Sequence, residues 1–167
     1  MHLLRLILVI LSLLCAIQQG NSFITGLPIP IRQEQRDILQ EEARVALKYL
    51  NAPDTKIDEL SKSISIASRA TDLSPTLITC IIYTESGFKN KAESPKHYKG
   101  LMQTPSATFI YSDVDILHGA RIFKDKLRIT NNNYENAMML YKGGRNPEAR
   151  KYAMETLKIY KQLKRYV

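Results

Sequence analysis

The stretch that decides the fold is SPTLITCIIYTESG, residues 74–87. Ser74 suits a helix N-cap, Pro75 suits the first helical position, and Gly87 suits the end of the last turn. The apolar residues between them recur at helical spacing: Leu77, Ile78, Ile81 and Ile82. The stretch therefore predicts one short helix with a strongly apolar face.

Glu85 occupies a position on that face where a core residue is expected. It falls four residues after Ile81 and three after Ile82, so it continues the apolar stripe. Apolar neighbours and the negative end of the helix dipole would both favour the protonated carboxylic acid. A carboxylic acid that is protonated near neutral pH can act as a general acid. The helical pattern alone leaves a second interpretation open, a helix-end carboxylate that reaches solvent or pairs with a lysine.

The beginning of the chain has the pattern of a secretory leader. Residues 1–22 of the 167 contain His2 and Arg5, then an apolar run over residues 6–14, then small and polar residues. The run is shorter than the roughly 20 residues of a membrane-spanning helix, although an uncleaved N-terminal anchor stays open. We therefore expect a signal peptide, a periplasmic or secreted location, and no stable membrane span after cleavage.

Charge and cysteine content restrict the class of protein further. The formal net charge is +8, or +7 (8 minus 1) once Arg5 leaves with the leader, and basic chains favour anionic partners. Lysine and arginine are dispersed along the chain, so we expect an anionic surface or cell-wall polymer rather than nucleic acid. Cys80 is the cysteine that remains after cleavage. It cannot form an internal disulfide by itself, and we expect it to be a small buried residue.

The rest of the chain reads as one helical domain with an N-terminal extension. Residues 23–31 contain glycine and proline and predict a linker, and residues 32–53 predict an N-terminal helix and its end. Residues 54–167 form the main domain, in which apolar residues recur at helical spacing in several segments. Residues 89–103 lack that periodicity and predict a long loop of the kind that carries functional residues.

Four short motifs follow one another in this domain. They are Glu85-Ser86, Ala92-Glu93-Ser94, Gly100-Leu101-Met102-Gln103 and Tyr141-Lys142-Gly143-Gly144. In this order and spacing they resemble the catalytic domain of lytic transglycosylases of the soluble (SLT) type, in the lysozyme-like superfamily. The resemblance spans roughly residues 64–144. It implies a mainly α, lysozyme-like helical domain with a long active-site loop and at most a small β-hairpin.

The resemblance also implies a reaction and roles for five residues. Peptidoglycan glycan strands would be cleaved between N-acetylmuramic acid and N-acetylglucosamine without water, leaving 1,6-anhydro ends. Glu85 would be the single catalytic acid and base, and no metal or cofactor is expected. Four residues would bind the substrate. Ser94 would support the reacting sugar and Met102 would pack against the saccharide. Gln103 would be a polar contact in the cleft, and Tyr141 would be the cleft tyrosine.

Two departures from the family pattern concern substrate placement and rate. Lys142 stands where the family usually has asparagine, and Asp115 stands where asparagine is common. The reaction type rests on Glu85, so these departures leave it unchanged.

Two other functions stay open at this point. A goose-type lysozyme would hydrolyse the same bond and needs a base to activate water, for which Glu93, Asp113 and Asp115 are nearest in sequence. Asp113 suits a helix N-cap better than that role. A non-catalytic peptidoglycan-binding subunit is the other alternative. The biological role is equally open between wall recycling and local wall opening for a secretion, conjugation or pilus apparatus.

Overall fold

A computed structural model describes residues 29–105 and 111–167 of the chain. It contains six helices in these ranges: α1 (Ile29–Tyr49), α2 (Asp54–Thr71), α3 (Pro75–Ser86), α4 (Ser112–Ile129), α5 (Tyr134–Tyr141) and α6 (Pro147–Leu163). The mainly helical architecture is therefore confirmed. None of these helices is both long enough and apolar enough to cross a membrane. The predicted leader, residues 1–22, lies outside the described residues.

Contacts between Cα atoms divide the chain into a first unit that ends at Glu34 and a compact second unit, Gln35–Val167. The described part of the first unit is the beginning of α1. This helix begins at Ile29, three residues before the predicted start, so the last residues of the predicted 23–31 linker are helical. Pro30 does not prevent this, because a proline in the first helical turn sacrifices no hydrogen bond. Residues 23–28 of that linker lie outside the described residues.

The core of the second unit is built from the apolar faces of all six helices. Helix α2 packs against α3 and α4, α5 packs against α4 and α6, and α3 packs against α6. Fully buried side chains from these contacts include Leu60, Ile64, Ile116, Phe123 and Met138. Each such side chain stabilises the fold by about 1.5–3 kcal/mol relative to its exposed state. The N-terminal helix joins the same core through Ala43 and Leu47.

Helix α3 has the ends that its sequence predicts. The Ser74 hydroxyl accepts a hydrogen bond from the Leu77 N–H, and Pro75 is the first helical residue. Gly87 adopts the left-handed conformation, with φ of 55°, and its N–H donates to the Tyr83 carbonyl at 2.9 Å. Cys80 is buried, as expected, and burial raises the pKa of its thiol to about 12.

A long loop joins α3 to α4. In the part that the structure describes, isolated antiparallel bridges link Glu93 to Lys99 and Lys99 to Thr104, and no strand forms. The resemblance implies at most a small β-hairpin in this loop, and the described part of the loop contains these isolated bridges. The Lys56 ammonium holds the start of the loop, because it donates to the Phe88 carbonyl at 2.9 Å and to the Asn90 side chain at 3.0 Å.

Candidate active site

One cavity of about 260 Å³ brings together four of the five predicted site residues. Glu85, Ser94, Gln103 and Tyr141 all line it. The other lining residues are Pro95, Lys96, Tyr98, Lys142, Asn146, Glu148 and Ala149. The cavity therefore lies where the end of α3, the long loop, the end of α5 and the start of α6 meet.

Glu85 is buried in this cavity. Its side chain is only 3% exposed, as expected for a residue that continues the apolar face of α3. Its Oε2 accepts a hydrogen bond from the Lys142 ammonium at 2.7 Å. The structure thus combines both interpretations of the sequence, because the carboxylate is buried and is also paired with a lysine.

Tyr141 connects the Glu85 cavity to the loop. Its hydroxyl donates to the Met102 carbonyl at 2.7 Å, and its ring packs edge-on against Phe123 with centroids 5.9 Å apart. Burial, and then the charges of Glu85 and Asp115, raise the pKa of Tyr141 well above its ordinary value. The phenol therefore stays protonated and keeps its hydrogen-bond donor at physiological pH.

Met102 does not line the cavity. Its side chain is fully buried, and it lies so close to Gly119 that a Cβ there would stand 2.5 Å from the Met102 Cβ. This placement differs from the predicted one, which put Met102 against the saccharide. The side chain fills the core beneath the loop, and only its backbone carbonyl reaches a site residue.

Gln103 and Ser94 give the loop its shape as well as lining the cavity. The Gln103 amide nitrogen donates to the carbonyls of Ala92 and Gly100, both at 3.0 Å. The Ser94 hydroxyl accepts from the Tyr98 N–H at 3.0 Å. Gln103 also has a φ of 49°, a left-handed conformation that is uncommon for a residue with a side chain. The surrounding hydrogen bonds hold that conformation.

Asp115 anchors the Gly100–Gln103 segment from below. Its carboxylate is buried and accepts a hydrogen bond from the Leu101 N–H. A Cβ at position 100 would lie 2.2 Å from Asp115 Oδ2, and φ there is +81°, so only glycine fits. Burial raises the pKa of Asp115, and the hydrogen bond from Leu101 opposes that rise. Asp115 does not line the cavity, so it is not placed to activate water there.

The other two carboxylates considered as bases are also outside the cavity. Glu93 is exposed, and its hydrogen bond with His97 at 3.0 Å lowers its pKa. Asp113 is exposed and accepts from the adjacent Val114 N–H at 2.9 Å. The N-cap of α4 is Tyr111, so the N-cap prediction for Asp113 is wrong by two residues.

Three residues lie near Glu85 although the sequence did not predict it: Glu148, Tyr152 and Lys142. Glu148, in the first turn of α6, lines the cavity, and its only sequence signal was the helix start at Asn146-Pro147. The ring of Tyr152 lies under the Lys142 ammonium, with 4.7 Å from Nζ to the ring centroid. Lys142 was visible in sequence only as a departure from a family pattern.

Tyr152 completes the surroundings of Glu85. Burial, and then the Glu85 charge, raise the pKa of Tyr152 well above its ordinary value. Its hydroxyl is buried, and interactions with the side chains of Thr84 and Glu85 also act on its pKa. A hydrogen bond of 3.2 Å from Thr156 to Thr84 joins α6 to α3 one residue before Glu85.

The arrangement suits proton transfer within a polar cleft. A buried carboxyl faces a cavity whose walls supply hydroxyl, amide and ammonium groups, which can bind and orient an oxygen-rich substrate. The described ranges contain no cluster of three or more residues that could hold a metal ion.

Comparison with known proteins gives one match. The family model of the transglycosylase SLT domain matches residues 62–163, which is more than half of the chain and includes every cavity-lining residue. No curated protein and no solved structure matches the chain. The family match confirms the resemblance that the four motifs indicated, and with it the lysozyme-like helical fold.

Proposed function

This chain belongs to the transglycosylase SLT domain family, and from that premise we propose that it is a peptidoglycan lytic transglycosylase with Glu85 as its single acid and base. It would cleave the β-1,4 bond between N-acetylmuramic acid and N-acetylglucosamine and leave 1,6-anhydro-N-acetylmuramic acid ends. The observation that carries the proposal is the position of Glu85, buried to 3% exposure at the wall of the cavity.

The reaction needs one carboxyl group in two successive roles. Protonated Glu85 gives its proton to the glycosidic oxygen while the bond from C1 to that oxygen breaks. Positive charge develops at C1, either as an oxocarbenium-like state or as an oxazoline formed with the acetamido group of the substrate. The Glu85 carboxylate then takes the proton of the C6 hydroxyl as O6 bonds to C1, which returns the acid to its starting form.

This route explains why one buried carboxyl suffices. The attacking hydroxyl belongs to the sugar, so its attack is intramolecular and needs no second carboxylate to activate water. Ser94 and Gln103 would bind the reacting sugar from the loop side. Tyr141 would hold the loop against the catalytic helix, since its hydroxyl already spans from α5 to the Met102 carbonyl.

The cellular setting is part of the proposal. The leader-like residues 1–22 and the net charge of +8 suit a periplasmic or secreted protein that acts on an anionic wall polymer. Wall recycling and wall opening for a secretion, conjugation or pilus apparatus are the two roles consistent with that setting.

A second candidate function is a goose-type-lysozyme-like muramidase, and one observation favours keeping it. Glu148 lines the same cavity as Glu85, so a second carboxylate is present that could activate water. Glu148 is exposed at the positive end of α6, where the helix dipole stabilises a carboxylate without any catalytic role.

Mass spectrometry of the products released from purified peptidoglycan distinguishes these functions. The wild type is compared with Glu85→Gln, and Glu148→Gln serves as the matched control from the same cavity. We expect 1,6-anhydro ends from the wild type and from Glu148→Gln, and a loss of about a thousandfold or more in Glu85→Gln.

Reducing ends that disappear in Glu148→Gln would establish the muramidase instead. Glycan binding without products from any of the three proteins would indicate a non-catalytic peptidoglycan-binding subunit. Undiminished activity in Glu85→Gln would remove Glu85 from the catalytic role.

A further inference from the structure

The ion pair between Lys142 and Glu85 places a cation against the buried carboxyl group of this cavity. Lys142 Nζ stands 2.7 Å from Glu85 Oε2, while the Glu85 side chain is 3% exposed and the Lys142 side chain is 40% exposed. The Lys142 Nζ also lies 4.7 Å from the ring centroid of Tyr152. Two contacts therefore hold the ammonium on the inner side of the cavity, against a carboxylate that water hardly reaches.

We propose that Lys142 is a positioning residue that stabilises the negative charge forming on Glu85 as it gives up its proton, and that it thereby sets the pH range of cleavage. This inference rests on the proposed function, since it concerns the same carboxyl in its first role. When Glu85 gives its proton to the glycosidic oxygen, negative charge appears on Oε2, beside the ammonium. No proton passes through Lys142 in this role.

The other titratable groups around Glu85 do not reproduce this effect. On α6, Glu148 carries a like charge at the exposed edge of the cavity, and Tyr152 stays neutral because burial raises its pKa. On α5, Tyr141 stays neutral for the same reason. Asp115, on α4, is a buried carboxyl group with a negative charge near Tyr141. Its charge and that of Glu85 both raise the pKa of Tyr141.

Among the described residues that line the cavity, the other cation is Lys96 of the loop, which is exposed. Ion pairs at exposed positions contribute little because solvent screens them. Lys142 is the cation in hydrogen-bonding contact with the buried carboxylate, so its removal should change the titration of Glu85 more than the removal of Lys96.

An adjacent ammonium has two opposing effects on general acid catalysis. It stabilises the carboxylate that forms in the transition state, which speeds cleavage by the protonated enzyme. It also reduces the fraction of enzyme that is protonated as pH rises, which slows cleavage at alkaline pH. Loss of the ammonium should therefore lower the rate at acidic pH and raise the relative rate at alkaline pH, so that the two pH profiles cross.

The test compares the pH dependence of 1,6-anhydro product release in wild type, Lys142→Met, Lys142→Asn and Lys142→Arg. We expect the alkaline limb to move to higher pH in the Met and Asn variants, because both remove the positive charge beside the Glu85 carboxylate. Lys142→Arg should keep the wild-type profile, and Lys96→Met is the matched control with little shift. If the Met and Asn variants release product more slowly at every pH but their alkaline limb does not move, Lys142 has only a structural role. That result would overturn the proposal.

A second measurement keeps the proposal testable if the protein makes no anhydro product. Carbon-13 NMR follows the titration of the glutamate carboxyls, and the resonance missing in Glu85→Gln identifies Glu85. The midpoint should be lower in wild type and Lys142→Arg than in Lys142→Met. Equal midpoints would refute the inference about Lys142, whereas absent or reducing-end products would refute the proposed function alone.

Discussion

Replacement of Asp115 tests how the loop that carries Gln103 is held in place. In Asp115→Ala the Leu101 N–H loses its buried acceptor. A hydrogen bond to a charged group contributes about 1.5–3 kcal/mol, so we take about 2 kcal/mol for this loss. For a chain of this length, that corresponds to a melting temperature lower by about 4–8 °C.

Asp115→Asn should behave differently, although it removes the same charge. The asparagine oxygen can accept the Leu101 N–H, and its amide nitrogen would take the place of Oδ1. Thr104 Oγ1 is buried beside the carboxylate and acts on its pKa, and this hydroxyl oxygen can accept a hydrogen bond from the new amide. We therefore expect Asp115→Asn to be at least as stable as the wild type at neutral pH.

The pH dependence of stability provides a further test, because the raised pKa of Asp115 determines the direction of the change. Burial raises the pKa of Asp115, so its contribution to stability is fully present below the ordinary aspartate pKa of about 4 and is lost as pH rises through the raised value. The Asn variant has no such loss, so its advantage over wild type should grow between pH 4 and pH 7.5.

The assay is thermal unfolding followed by circular dichroism at several pH values across that range, with anhydro product release as the functional readout. Asp113→Asn, at an exposed carboxylate two residues away, is the matched control and should melt with the wild type. If Asp115→Ala melts with the wild type, the carboxylate does not anchor the loop. If Asp115→Asn is as unstable as Asp115→Ala, the charge matters more than the hydrogen bond, and our reasoning is wrong.

Three further expectations follow from side chains around the site. Gly119→Ala should lower the stability by about 1–3 kcal/mol in chemical denaturation, because the new Cβ would lie 2.5 Å from the Met102 Cβ in a packed core. An unchanged denaturation midpoint would show that Met102 can move away. Tyr141→Phe should cost about 1 kcal/mol and slow product release, because it removes the hydrogen bond to the Met102 carbonyl while keeping the ring. If Tyr141→Phe equals the wild type in stability and in activity, that hydrogen bond contributes to neither. Cys80 should resist a thiol reagent at pH 8–9 in the folded protein and react after unfolding, since burial raises its pKa to about 12. Rapid reaction with folded protein would contradict the buried position.

Most features of helix α3 could be predicted from residues that are close together in the sequence. Its cap residues, its apolar face and its end depend on neighbours within a few positions of the chain, and the burial of Glu85 follows from the same spacing. The four motifs could be recognised for a related reason. Each one is short, and its residues are consecutive or nearly so.

Spacing along the chain could not place Met102, which is next to Gln103 in sequence and yet points away from the cavity into the core. Its direction depends on the close approach of Gly119, which belongs to another helix. The sequence predicts the start of α1 three residues too late, because proline and glycine indicate a linker, although a proline in a first helical turn is tolerated.

By itself, the sequence determined the helical class, the family and the identity of the buried acid, because these depend on short-range periodicity and on consecutive motif residues. Only the tertiary structure decided what surrounds that acid. Lys142 lies 57 positions from Glu85 along the chain, and Asp115 lies 14 positions from Leu101. Such pairs meet because the buried faces of separate helices pack together, and that packing determines which charge lies beside the Glu85 carboxyl.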